Sequence, residues 1–101
     1  MGRIDEIVSA VLEETEGITF DGIKTYNRSH EYSIPRQLIM YLLVEQGYSS
    51  TEIAKVMHRT HVTVLYGHNA VVTWLEYPSC YKRGYEFYKR VKNKLDIFQE
   101  Q

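Results

Sequence analysis

Residues 49–66 read SSTEIAKVMHRTHVTVLY, and this stretch decides the fold. Ser49 and Glu52 stand at the S-x-x-E spacing of a capping box, in which each side chain satisfies a backbone N–H at the start of a helix. The spacing predicts a short helix over Ser50 to Met57 with Ile53, Ala54 and Met57 turned inward. Two or three residues later Thr60 is a competent N-cap, and Val64, His68, Val71, Val72 and Leu75 repeat at helical spacing. Two helices joined by so tight a turn make the helix-turn-helix pattern.

Upstream, Pro35 suits the first turn of a helix, where its missing N–H would have had no partner. LIMYLLV, residues 38–44, is apolar on nearly every side, as expected of a central helix surrounded by others, and Gly47 ends it. TYNRSHEYSI, residues 25–34, has no period and reads as a loop. Ile4, Ile7, Val8, Val11 and Leu12 mark one face of a first helix, with Gly17 placed to close it, and a short helical turn follows at Thr19 to Lys24 with Thr19 as N-cap. Downstream, Pro78 and Ser79 break the chain, and Tyr81, Tyr85, Tyr88, Val91, Leu95 and Phe98 mark one face of a last helix. No strand-like alternation and no internal repeat is present. The expected class is all-α, a compact bundle of five or six helices forming one domain over residues 1–101.

A chain of 101 residues, 44% hydrophobic and 25% charged, can bury a core without disulfides or metal. The single cysteine, Cys80, excludes an internal disulfide. MGRIDEIVSAVLEE carries acids where a signal peptide would need an uninterrupted apolar stretch, no run reaches membrane-spanning length, and the cytoplasm is the expected compartment. The net charge of −1 conceals an uneven distribution. Residues 1–21 hold one base against six acids, a net of −5, whereas residues 22–101 hold eleven bases against seven acids, a net of +4. A mildly basic body thus follows an acidic first segment, which keeps phosphate-bearing partners in play.

On the helix beginning near Thr60, a buried side built from Val64, His68, Val71 and Leu75 leaves Val62, Thr63, Tyr66, Asn69 and Ala70 outward. A helix of this width fits the DNA major groove, where Thr and Asn hydrogen-bond base edges and an aliphatic group such as Val62 meets a thymine methyl. The other reading of the same stripe is a plain solvent-facing surface. Gly67 inside this helix costs about 1 kcal/mol relative to Ala; it serves either close approach of a DNA backbone or tight packing against a neighbouring helix. Lys24, Arg28, Arg36, Lys55 and Arg59 cluster around the loop and the two-helix unit as candidates to neutralise phosphates. Arg28, a loop arginine among small polar residues, also suits a minor groove. His58, His61 and His68 with Cys80 lack the paired spacings of structural zinc, and His61 and His68 fall near the core stripe as partly buried histidines. With no phosphate-binding glycine loop, nucleophile elbow or metal motif, the sequence offers no catalytic residues, no metal and no cofactor.

YNRSHEYSIPRQLIMYLL and STEIAKVMHRTHVTVLYGH resemble the C-terminal DNA-binding domain of the DnaA family of bacterial replication initiators, which share the Trp-repressor type of helix-turn-helix. The resemblance runs from about Ile4 to the last helix. It implies that Arg28 enters a minor groove, that Arg36 and Lys55 lie near the DNA backbone, and that Arg59, Thr60, His61, Val62 and Thr63 form the signature opening the recognition helix. That signature usually reads Arg-Asp-His-Thr-Thr. Here Thr60 replaces the aspartate, Val62 replaces a threonine, and His58 stands where a glycine is usual in the turn, so the family's DNA site does not carry over unchanged.

The resulting expectation is a non-enzymatic, sequence-specific binder of double-stranded DNA linked to replication initiation or its regulation. It would read bases through Arg28, Thr60, His61, Val62, Thr63 and Tyr66, and hold phosphates through Lys24, Arg36, Lys55 and Arg59. Its partners would be double-stranded DNA and other protein subunits on that DNA, with no membrane. A transcriptional regulator is one alternative. Another is a protein-interaction module that keeps the fold without DNA, motivated by the net charge and by nine tyrosines, with Tyr81, Tyr85 and Tyr88 as its surface.

Overall fold

Helix α3 (His30–Glu45) is the element around which the others are laid. Leu38, Ile39, Met40, Leu42 and Leu43 are all buried, so the helix is covered on most of its circumference, as an apolar helix without a polar stripe must be. Around it stand α1 (Arg3–Glu13), the single turn α2 (Phe20–Ile23), α4 (Ser50–Met57), α5 (His61–Glu76) and α6 (Lys82–Gln99). This computed structural model describes residues 3–25 and 29–99, with the side chains of 30 and 96–99 outside the description. Over those residues the protein is an all-α bundle of six helices with no strand. The core draws on every helix, through Ile7 and Val11 of α1, Ile23 of α2, Ile53 and Met57 of α4, Val64, Val71 and Trp74 of α5, and Phe87 and Val91 of α6.

Helix α3 begins earlier than the loop reading of residues 25–34 predicts. It starts at His30 with Ser29 as the extended N-cap residue, and Tyr32 N and Ser33 N both donate to Ser29 O, at 3.0 and 2.9 Å. Pro35 therefore lies inside the helix rather than in its first turn. The ring deletes one N–H bond, to the carbonyl four residues back. That carbonyl belongs to exposed Glu31, which can turn to water, so the helix tolerates the proline. Helix α1 ends at Glu13, four residues before Gly17, because the chain tightens into turns in which Glu14 N and Thr15 N donate to Val11 O and Leu12 O.

Gly47 ends α3 in the left-handed region, at φ +97°. Tyr48 N donates to Leu43 O and Gly47 N to Val44 O, the two bonds of a Schellman motif. Helix α4 ends with the same pattern, Arg59 N to Ala54 O and His58 N to Lys55 O, but the left-handed residue is His58, at φ 56°. A side chain in that conformation costs roughly 1–2 kcal/mol that glycine avoids.

Two acids of the first segment, Glu13 and Glu14, are paired across the fold. Glu14 pairs with Arg90 at 3.1 Å, and Lys94 reaches Glu13 at 2.8 Å and Glu14 at 3.2 Å, pinning α1 to α6. These contacts hold the Lys94 ammonium above its ordinary pKa, chiefly through the hydrogen bonds to Glu13 and then Glu14.

Candidate nucleic-acid interface

The two-helix unit is capped at both starts as its sequence dictates. Ser49 and Glu52 form the full capping box, Glu52 N donating to Ser49 Oγ at 3.1 Å and Ser49 N to Glu52 Oε1 at 2.9 Å. The two bonds, backbone first, hold the Glu52 carboxyl below its ordinary pKa. Thr60 is the N-cap of α5: its Oγ1 accepts from Thr63 N at 3.2 Å and lies 3.0 Å from Thr63 Oγ1. Only His58, Arg59 and Thr60 separate α4 from α5, so the angle between the helices is set by one left-handed residue and one cap.

Helix α5 is rotated relative to the expected stripe. Its buried side is Val64, Gly67, Val71 and Trp74, with His68 and Leu75 half-buried at the flank. The cause is Gly67. A Cβ built there would lie 2.5 Å from Met40 Sδ and 3.3 Å from Met40 Cβ, so the missing side chain is where α3 seats against α5. Of the two readings of Gly67, helix packing holds. A hydropathy stripe gives a glycine no weight and so sets the seam one position off.

The rotation also fixes what is presented outward. Val62 is 43% exposed, Leu65 48% and Tyr66 70%; His61 and Asn69 are exposed, while Thr63 and Ala70 are half-buried. His61, expected near the core stripe, therefore stands in solvent at the first position of α5. Leu65 was missed by the stripe reading; counting Gly67 as a contact residue would have found it, because a seam through 64, 67, 71 and 74 leaves 62, 65, 66 and 69 opposite. His68 Nε2 is 3.1 Å from Glu45 Oε2 and its ring stacks on Tyr41 at 5.0 Å, which makes it a tie between α5 and α3.

The basic candidates divide. Lys55 is exposed on the last turn of α4, with no ion pair among the described residues. Lys24 is half-buried, 3.6 Å from Asp21 Oδ1 and 4.9 Å from the centre of the Phe20 ring. Arg36 is only 8% exposed; its Nε donates to Ile23 O at 2.7 Å and its Nη2 to Thr25 O at 3.0 Å. Arg59 converges on the same backbone, Nη1 donating to Lys24 O at 2.8 Å and Nη2 to Thr25 O. Burial, and secondarily the nearby Arg59 charge, lower the Arg36 pKa from its very high ordinary value. The two guanidiniums thus clamp the carbonyls that close α2, immediately before the segment holding Arg28. Arg28 itself lies outside the described residues.

Among the described residues no three His, Cys, Asp or Glu side chains gather as a metal site requires. Exposed Cys80 lines a groove of about 540 Å³ with Trp74, Ala70 and Arg83, which neither His58 nor His61 borders. The tyrosine stripe expected on α6 is split. Gly84, Phe87, Val91 and Leu95 make the buried side, because Trp74 sits where a Gly84 side chain would be, 2.6 Å from a Cβ built there. Tyr88 packs against the core, Tyr85 lies under Lys89 Nζ at 4.8 Å, and Tyr81 is 45% exposed. Phe98 has no described side chain. No helix among the described residues is long and apolar enough to cross a membrane.

A short capped helix, a three-residue turn and a second capped helix with an open outer face place this chain among helix-turn-helix proteins. The family model for the bacterial dnaA protein helix-turn-helix matches residues 4–71, about two thirds of the sequence, and the chain belongs to that family. The match stops within α5, so α6 lies beyond it, short of the whole-chain extent expected from the sequence. The chain is also 38% identical over 64 residues to the chromosomal replication initiator protein DnaA of Chloroflexus aggregans and of two strains of Chloroflexus aurantiacus. That alignment covers 61% of this chain and 13% of each relative's length.

Proposed function

We propose that this domain binds double-stranded DNA sequence-specifically, with the outer face of α5 in a major groove, and that it acts in replication initiation or its regulation. The observation that carries the reading is the α5 face itself. Val62, Leu65, Tyr66 and Asn69 stand outward on a helix whose start is fixed by Thr60 and whose back is locked on α3, in a chain of the dnaA helix-turn-helix family. A cylinder of that width matches the major groove. Thr60, His61 and Thr63 sit at the entering end, where helix-turn-helix proteins reach base edges, and Arg28 is assigned to the adjoining minor groove.

For the backbone contacts we assign Lys55 and Lys24 to phosphates. In this arrangement Arg36 and Arg59 act one step back, holding the carbonyls of Ile23, Lys24 and Thr25. Such a domain needs no metal or catalytic group, and its place of work would be the cytoplasm. Selection from random duplex DNA at physiological salt tests the reading. One motif should be enriched, and both Arg28→Ala and Thr63→Ala should weaken its binding; absence of enrichment would overturn it.

A further inference from the structure

All five large hydrophobic side chains that stand exposed among the described residues belong to α5 or the corner after it: Val62, Leu65, Tyr66, Tyr77 and Tyr81. The first three are contiguous, because positions i, i+3 and i+4 share a helix face, and Asn69 continues that face one turn on. Exposed apolar side chains in such a cluster mark a binding surface. The charge pattern then narrows the occupant. From His61 to Glu76 the helix HVTVLYGHNAVVTWLE holds no Arg or Lys and no acid before its last residue. No Arg or Lys that could fork onto guanine is on this helix, and its one carboxylate, Glu76, stands at the far end from the exposed cluster.

Resting on the DNA-binding reading, we propose that the base pairs under α5 are A·T pairs read through their thymine methyls, with Val62, Leu65 and the Tyr66 ring making the methyl contacts and Asn69 on an adenine edge. In the major groove the C5-methyl is the one apolar feature a base pair presents, and a side-chain amide matches the N6 and N7 of adenine. A face of two aliphatic residues, one aromatic ring and one amide is complementary to that surface and to little else in the groove.

Deoxyuridine removes only the methyl and keeps every pairing and hydrogen-bonding group, so it tests the proposal on the unaltered protein. A duplex with the selected site should lose about fourfold in affinity for each contacted thymine replaced by uracil, the factor that burial of one methyl-sized group, ~0.8 kcal/mol, represents. Leu65→Ala, an exposed position whose folding is checked by its melting curve, should bind the thymine site more weakly and lose its sensitivity to uracil at one position. Equal affinity for the thymine and all-uracil sites would overturn the methyl proposal while DNA binding stood. Selection of a site with G·C pairs at the α5 positions would overturn it in the same way. Failure to enrich any duplex would overturn the DNA-binding reading and this proposal with it.

Discussion

Replacing Arg36 by Met removes a guanidinium while leaving an unbranched stem in the same space, and the consequence can be worked from the contacts. The change deletes the donors to Ile23 O at 2.7 Å and to Thr25 O at 3.0 Å. Hydrogen bonds made by a charged donor contribute roughly 1.5–3 kcal/mol each. Two effects reduce the loss. The nearby Arg59 charge no longer opposes a second buried cation, and Arg59 Nη2 already reaches both carbonyls, Ile23 O at 3.5 Å and Thr25 O. A net loss of about 1–2 kcal/mol is expected, which is a fall of roughly 4–12 °C in melting temperature for a domain of this size. Arg59→Gln alone should cost about as much, since Arg36 then covers Thr25 O. The double variant leaves those carbonyls without either arginine, so its loss should exceed the sum of the two by about 1 kcal/mol. Urea unfolding of the four proteins measures this. Additive losses, or single losses below about 0.3 kcal/mol, the scatter expected of independent sites, would refute the clamp.

Four further outcomes follow from the same contacts. His58→Gly should raise stability by up to about 1 kcal/mol, the left-handed strain relieved less the added freedom of the unfolded chain; a lower melting temperature would contradict it. Gly67→Ala should destabilise by about 1–2 kcal/mol despite alanine's better helix propensity, because its Cβ meets Met40 and overpacking outweighs the gain; denaturant unfolding checks the sign. Glu52 carries a lowered pKa, so the stability it contributes is present above the ordinary carboxylate range and is lost as pH falls through its folded value. Glu52→Ala should remove that part of the acid dependence, seen by comparing melting curves from pH 7 to pH 3. Lys55→Ala should weaken duplex binding at all sequences and reduce the slope of log affinity against log salt by about 0.9, read from anisotropy titrations.

What was legible in the sequence was whatever short-range chemistry specifies. The capping box of Ser49 and Glu52, the cap at Thr60 and the closing glycine at 47 involve residues within a few positions of one another, and the elements follow from them. What was not legible depended on a distant partner. The rotation of α5 is set by Gly67 against Met40, and that of α6 by Gly84 against Trp74, and a missing side chain leaves no mark in a hydropathy pattern. The early start of α3 was hidden because Tyr32, Ser33 and Ile34 are half-buried in succession and so show no helical period. Arg36 and Arg59 carry the charge of a phosphate ligand, but both reach the carbonyls of residues 23–25, 11 to 36 residues away, and only the folded chain reveals those bonds.

The most direct test of the central claim is a map of backbone amide shifts in the labelled protein as the selected duplex is added at physiological salt. Docking of α5 in the groove predicts the largest shifts over Thr60 to Asn69 and beside Lys55, with α6 from Lys82 onward little changed. Shifts concentrated on Tyr77 to Lys89, with Val62, Leu65 and Tyr66 unmoved, would contradict the account.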